Sequence, residues 1–327
     1  MIKKHGSKNI WETLKKPILI LAPMEDVTDT VFRQIIAELG KPDLFFTEFV
    51  NIDGLFSPGE EAVKHRLKYT NKEKPLIAQI WGLNPQNYYK AGAYIKNLGF
   101  DGIDINMGCP VPKVVKQGAC SALIKNHSLA QEIILASLEG AKGLPISIKT
   151  RLGFDKVEWK SWFKFLLSFK ELSAITVHGR IATEMSKGKA NWELIGEVVK
   201  LRDSLKSKTL IIGNGDIKSR KEALHMRQKY QVDGVMIGRG IFENPLLFNT
   251  KDENFQTKPL QYKLGLAQKH IQLFQQTWEN SKNPAILKKF FKIYIRDFNG
   301  ANQLRQKLMM AESFQEMLNI LENFLES

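Results

Sequence analysis

The stretch TLIIGNGDIKSRKEALHMRQKYQVDGVMIGRG, residues 209–240, decides the fold. It opens on an apolar, β-rich run, Thr209–Gly213, and passes through Gly213-Asn214-Gly215-Asp216 to Ser219. Ser219 and Glu222, three residues apart, form a capping-box signature for a helix start. A second apolar run, Val232–Ile237, follows and ends in Gly238-Arg239-Gly240. This is a βα unit feeding the next strand. Both runs are apolar nearly throughout, as strands buried on both faces of a parallel sheet must be.

The same rhythm extends back to the start of the chain. Pro17–Ala22, Asp43–Glu48, Pro75–Ile80, Gly102–Asn106, Pro145–Lys149 and Ser173–Val177 read as six further strands. Helical signals lie between them. Asn84-Pro85 is an N-cap followed by proline at the first helical position. Ser128 with Gln131 reads as another capping box. Thr28–Leu39 and Leu194–Leu205 carry apolar residues at three- and four-residue spacing, and Gly40 and Gly99 stand where helix C-caps are expected. Eight βα units in roughly 245 residues predict an α/β fold, a (β/α)8 TIM barrel. An open doubly wound sheet is the competing architecture, but no GxGxxG follows the first strand.

Beyond residue 248 the texture changes. Thr250–Pro259 is polar and reads as a linker, and Leu260–Asn280, Pro284–Phe298 and Ala301–Leu325 read as long helices. Their expected core is Leu273, Phe274, Leu287, Phe290, Phe291, Ile295 and Phe298. The predicted division is a barrel over 1–248 and a C-terminal helical domain over 249–327.

Composition sets the outer bounds. The chain has 327 residues, 48 Lys and Arg against 34 Asp and Glu, and a formal net charge of +14. With 19 Phe and 6 Trp it is not a disordered chain, and with 2 Cys it is not a disulfide scaffold. No apolar run approaches the about 18 residues of a membrane span. The N-terminal MIKKHGSKNIWETLKK lacks the apolar segment of a signal peptide, so a cytoplasmic setting is expected. The basic excess points to a polyanionic partner that charge alone does not resolve into RNA, DNA or membrane surface, and the chain as a whole is expected to be a monomer that contacts no membrane.

In a barrel the chemistry sits at the C-terminal ends of the strands. Those ends carry Pro23-Met24-Glu25, Glu48 and Asn51, Gln79, Asn106 to Pro110, Lys149 and Arg151, His178-Gly179-Arg180, Asn214-Gly215-Asp216 and Gly238-Arg239-Gly240. The last two glycine loops occupy the usual phosphate position of such barrels, where Arg239 adds a charge. Lys149 suits either a Schiff base or a cation beside an electron-rich flavin ring, with Gln79 and His178 bonding ring or phosphate edges. Cys109 lies in a Gly-Cys-Pro turn and suits a nucleophile or a proton donor. Its spacing from Cys120 matches no zinc pattern, so no metal is expected. Cys120 reads as ordinary packing.

Taken in order, APMEDVTDTVFR (22–33), QIWG (79–82), DGIDINMGCPVPKVVKQGACSALIKN (101–126), IKTRLG (148–153), TVHGR (176–180), IIGNGDI (211–217) and DGVMIGRGIFENP (233–245) resemble the tRNA-dihydrouridine synthases. The resemblance implies an FMN-dependent oxidoreductase that reduces the C5–C6 bond of particular uridines in tRNA with electrons from NADPH. It implies flavin contacts at Pro23, Met24, Glu25, Gln79, Lys149, His178, Asn214, Gly215, Asp216, Gly238 and Arg239. Cys109 takes the place of the family's catalytic cysteine, as proton donor to C5. Asn106, Arg151 and Arg180 become contacts to the uracil or its phosphate. The tail becomes a tRNA-docking element. Residues 282–307 hold seven Lys or Arg and one acid, Asp297, and Lys288, Lys289, Lys292 and Arg296 are its expected phosphate contacts.

Two features depart from the family pattern. Cys120 stands where glycine is more usual, and Ile-Ala-Thr-Glu-Met-Ser (181–186) replaces a threonine-rich continuation. Three rival readings remain beside the resemblance. They are an FMN barrel acting on a small molecule such as a dihydroorotate-like substrate, an aldolase using Lys149, and a non-catalytic RNA-binding barrel.

Overall fold

The computed structural model describes residues 9–251, 254–279 and 281–326. Most of the basic N-terminal segment (1–8), Asp252 and Glu253 of the expected linker, and Asn280 at the expected end of the first tail helix lie outside the described residues.

The strands are β1 (Ile18–Leu21), β2 (Phe45–Phe46), β3 (Val50–Asn51), β4 (Leu76–Trp81), β5 (Gly102–Met107), β6 (Ile146–Arg151), β7 (Leu172–His178), β8 (Leu210–Asn214) and β9 (Gly234–Ile237). They pair in parallel in the order β1-β9-β8-β7-β6-β5-β4-β2, with β3 also on β4. A parallel bridge between Ile20 and Leu44, with Asp43 N donating to Leu19 O at 2.9 Å, closes the ring. The fold is the expected TIM barrel. The second stave is split because the Thr47 hydroxyl, not a backbone carbonyl, accepts Gln79 N at 3.0 Å, so the ladder breaks before resuming at Val50.

Alternation along the strands sorts the core into two layers. Ile18, Ile20, Phe46, Ile77, Ala174, Ile212 and Met236 fill the barrel, while Leu19, Leu21, Phe45, Ile103 and Ile211 face the helices. Trp11, 2% exposed, joins the inner cluster, and Asn9 donates to Ser173 near the start of β7, so residues 9–14 close the bottom of the barrel.

Several local expectations shift. Asn84 and Ser219 cap their helices as read from sequence. Helix His127–Gly140, however, is capped by Asn126 and not Ser128, because the Asn126 side chain is the one that accepts Leu129 N. Gly40 ends helix Thr30–Gly40 without a left-handed turn. It is needed because a Cβ there would meet Asn249 N at 2.5 Å.

The tail differs most from expectation. The segment predicted as one helix over 284–298 is a 3-10 turn, Pro284–Phe290, followed by a short helix, Phe291–Tyr294. Leu287, Phe290, Phe291, Ile293, Tyr294 and Ile295 are all buried, more than the single face of an α-helix places inside. The segment predicted as one helix over 301–325 is two, Ala301–Met310 and Phe314–Glu326. Ser313 restarts it by accepting Glu316 N at 3.1 Å. Leu273 and Phe298 are only partly buried, while the other five expected core residues are inside.

The hydrophobic core runs without interruption from the barrel's outer layer into the tail. Phe32 packs against Phe290 at 5.2 Å between ring centres, and Trp278 donates its indole N–H to Asp29 at 2.8 Å. Among the described residues no helix is long and apolar enough to cross a membrane.

Candidate active site

A cavity of about 930 Å³ opens at the C-terminal ends of the strands. The fifteen residues to which the resemblance gives roles line it: Pro23, Met24 and Glu25 after β1; Gln79 on β4; Asn106 and Cys109 at the end of β5; Lys149 and Arg151 on β6; His178 and Arg180 at the end of β7; Asn214, Gly215 and Asp216 at the end of β8; Gly238 and Arg239 after β9. Glu48 and Asn51, also expected at the mouth, do not: Glu48 accepts Asp26 N, and the Asn51 side chain caps the helical turn Ile52–Leu55. Lys149 does not close its strand. It sits two residues before the end, and Arg151 closes it.

The Cys109 turn is built from β5. The side-chain oxygen of Asn106 accepts both Gly108 N (3.0 Å) and Cys109 N (2.9 Å). Its amide nitrogen donates to Gln79 Oε1 at 3.1 Å, and Gln79 in turn donates to Asp104 at 2.7 Å. Asp104 also accepts from Ser147 at 2.6 Å, and burial pushes its carboxyl up to about 6. Asn106 and Gln79 are therefore held in one orientation, with most of their polar capacity spent inside the protein.

Arg151 grips the same turn from the neighbouring strand. Its Nε donates to Gly108 O at 2.7 Å, and Nη1 donates to Ile181 O and Met185 O. Arg180, 2% exposed, donates to Lys187 O, Gly188 O and both oxygens of Asp216. The two arginines thus staple residues 181–190 between the Cys109 turn and the glycine loop after β8. Asp216 completes the staple by accepting Ala190 N at 2.7 Å. Gly215, at φ +135°, has no room for a side chain, since a Cβ would meet Ala190 Cβ at 2.5 Å.

Electrostatics follow from this burial. The half-buried Cys109 thiol is lowered to about 7, first by a hydrogen bond from Cys120 and further by Arg151 and Lys149. Lys149 is lowered to about 8 by burial and by Arg151, and its ammonium has no hydrogen-bond partner among the described residues. Burial and then the surrounding cations hold His178 well below the ordinary histidine range, so its ring is neutral. Because a guanidinium only donates, His178 Nε2, 3.1 Å from Arg180 Nη1, is the acceptor nitrogen and Nδ1 carries the proton.

The sequence reading missed part of the wall. Phe49, Met185, Ser186, Lys189, Ala190 and Lys218 also line the cavity. Most come from 181–190, where the one available signal was Gly188 between two lysines ahead of Trp192. Cys120 is buried, 1% exposed, as its reading as a packing residue expects, but its backbone and its neighbour were not legible in the sequence. It sits at φ +54° with its thiol against Cys109.

The family model described as dihydrouridine synthase (Dus) matches residues 20–327. The chain belongs to the dihydrouridine synthase family. It is 44% identical over 321 residues to the probable tRNA-dihydrouridine synthase 2 of Bacillus subtilis, covering 97% of each chain. It is 43% identical over 320 residues to the probable tRNA-dihydrouridine synthase of Staphylococcus epidermidis, covering 97% of this chain and 96% of that one. Among solved structures, histamine dehydrogenase from Rhizobium sp. 4-9 is 13% identical with a TM-score of 0.54, covering 86% of this chain and 53% of that one, which supports the barrel fold alone. As a dihydrouridine synthase the chain is an enzyme, and the cavity is its candidate active site.

The tail cations divide into two sets in this dihydrouridine synthase. Lys289 and Arg296 donate to barrel carbonyls, Asp26 O (2.8 Å) and Glu243 O respectively. Lys288, Lys292 and Arg305 instead rim a second cavity of about 470 Å³, walled by Phe291, Met309 and Met310. Lys292 is exposed, while Lys288 donates to Met309 O at 2.6 Å.

Proposed function

We propose that this chain reduces the C5–C6 bond of uridines in tRNA, with FMN held in the barrel mouth, NADPH as electron source and Cys109 as the acid that protonates C5. The observation that carries the reading is Cys109 itself. Its half-buried thiol, lowered to about 7, stands on a turn fixed by Asn106 and Arg151 in the same cavity as Lys149 and the two glycine loops.

The residues present fit a flavin nucleotide. The cavity has the volume of a cofactor site. Lys149 offers an unpartnered cation where a ring gains negative charge, and Gly215, Gly238 and the exposed Arg239 offer backbone and charge for a phosphate. When bound, FMN supplies the hydride that adds to C6 of the uracil. The protein's own part is to present the thiol proton at C5, to hold the turn still through Asn106, and to keep His178 neutral among four cations. The target base has to leave its stack to reach a barrel mouth. In this reading residues 1–248 carry the chemistry, and the helical tail 249–327 docks the tRNA backbone through Lys288 and Lys292. Lys289 and Arg296 brace the tail against the barrel.

The test is direct. The purified protein is expected to take up FMN, and a strain lacking it is expected to lose dihydrouridine at defined tRNA positions. A protein that cannot be loaded with FMN overturns the reading. Flavin reoxidation indifferent to tRNA favours a small-molecule oxidoreductase instead.

A further inference from the structure

The chain has two cysteines, and the structure sets them against each other. Cys109 stands on the turn after β5, half open to the cavity. Cys120 begins the 3-10 segment Cys120–Lys125 and is 1% exposed. Ser121 N donates to Cys109 O at 3.3 Å, which holds the two stretches of backbone one hydrogen bond apart. Burial and the neighbouring Cys109 sulfur push the Cys120 thiol up, and Cys120 in turn lowers the Cys109 thiol, the mutual effect of two adjacent sulfurs.

Cys120 is an unusual place for a side chain. Its φ of +54° lies in the left-handed region that favours glycine, so backbone preference does not account for a side chain there. What the side chain adds is a second sulfur beside the first. Cys109 meanwhile has the features of a reactive cysteine, namely access from a cavity, two nearby cations in Arg151 and Lys149, and a thiol lowered to about 7.

We propose that Cys109 and Cys120 form a reversible oxidation site, in which peroxide oxidises Cys109 and Cys120 resolves it to an intramolecular disulfide. The Cys109 thiolate attacks one oxygen of hydrogen peroxide. An S–O bond forms, the O–O bond breaks, and the hydroxide that leaves takes up a proton to become water. The Cys120 sulfur then attacks the Cys109 sulfenic acid. The S–S bond forms, the S–O bond breaks, and the hydroxyl departs as a second water with the Cys120 proton. The two thiols lose two electrons and the peroxide gains them, and a dithiol reductant reverses the change. The cross-link draws the Cys109 sulfur towards Cys120 and leaves no thiol at the cavity. The loss of dihydrouridine synthesis that follows rests on the reading of Cys109 given above, but the cross-link does not.

The test uses the full-length protein treated with hydrogen peroxide, then unfolded, alkylated and weighed. The wild type is expected to lose both alkylatable thiols and the mass of two hydrogens, and to regain them with dithiothreitol. In Cys120→Gly, which suits the left-handed backbone, and in Cys120→Ser, Cys109 is expected to run on to the sulfinic acid, gaining two oxygens that dithiothreitol does not remove. Wild-type protein that forms the sulfinic acid while Cys120 stays alkylatable overturns the proposal, and so does a disulfide that joins two chains. A clean internal cross-link in a protein that makes no dihydrouridine leaves this site standing and removes the functional reading instead.

Discussion

The barrel mouth and the helical tail both gather cations, and the buried arginines of the first contrast with the exposed Lys292 of the second. At the mouth, Arg151 and Arg180 are buried, and their donors are spent on the carbonyls of Gly108, Ile181, Met185, Lys187 and Gly188 and on Asp216. In the tail, Lys292 stands in solvent beside an apolar groove. A buried guanidinium fixes geometry, because leaving any of its partners unpaired is costly. An exposed ammonium acts at a distance and is screened by salt. In the proposed reading the buried mouth arginines serve the placement of atoms, and the exposed tail cation the attraction of a charged backbone.

The largest effect tests how separate the two regions are. Phe290→Ala empties the seam where the tail meets Phe32, and is expected to cost about 3–5 kcal/mol. Denaturant unfolding followed by tryptophan fluorescence and by circular dichroism should show one shifted transition for both probes. Two transitions would break the comparison by making the tail an independent unit. Next comes the chemistry of the mouth. Cys109→Ala is expected to lower dihydrouridine formation roughly 100-fold or more while FMN binding is kept, as for loss of a general acid. Normal product from that variant would remove Cys109 from the mechanism.

A smaller effect concerns pH. In the proposed reading Cys109 is the acid and must carry its proton, so the rate is expected to be full below the thiol pKa and to fall as pH rises through about 7. Cys120 lowers that pKa, so Cys120→Gly should move the falling limb to higher pH. A limb that stays put would mean another group sets it. The smallest effect belongs to the tail. Lys288→Ala and Lys292→Ala should each reduce the salt-dependence slope of tRNA binding by about 1. Equal losses from Lys289→Ala or Arg296→Ala would contradict the division between docking and bracing cations.

Much of the barrel and its mouth was legible in the sequence. Parallel strands buried on both faces are continuous apolar runs, and eight of them stand out from amphipathic helices without any long-range information. Once the topology is a barrel, every strand end points to one place, which is why residues as distant as Pro23 and Arg239 were expected together and line one cavity. The helix boundaries were less legible where two signals competed. Asn126 and Ser128 are both good caps two residues apart, and only the observed backbone path selects Asn126. In the tail, Ser313 and Glu316 carry the same signature that was read correctly at Ser219, yet the continuous helical pattern around them hid it.

What the sequence determined alone is whatever depends on local periodicity and on topology: the strands, their common mouth, the chemical types of residue gathered there and the family to which they belong. What only the tertiary structure decided is how those residues are spent. Asn106 and Arg180 turn inward to hold a turn and a loop, Lys289 and Arg296 reach across to the barrel, and Cys120 meets Cys109. The physical reason is that a side chain's role depends on which partners satisfy its donors and acceptors. Those partners lie far along the chain or across a turn, where no local pattern records them.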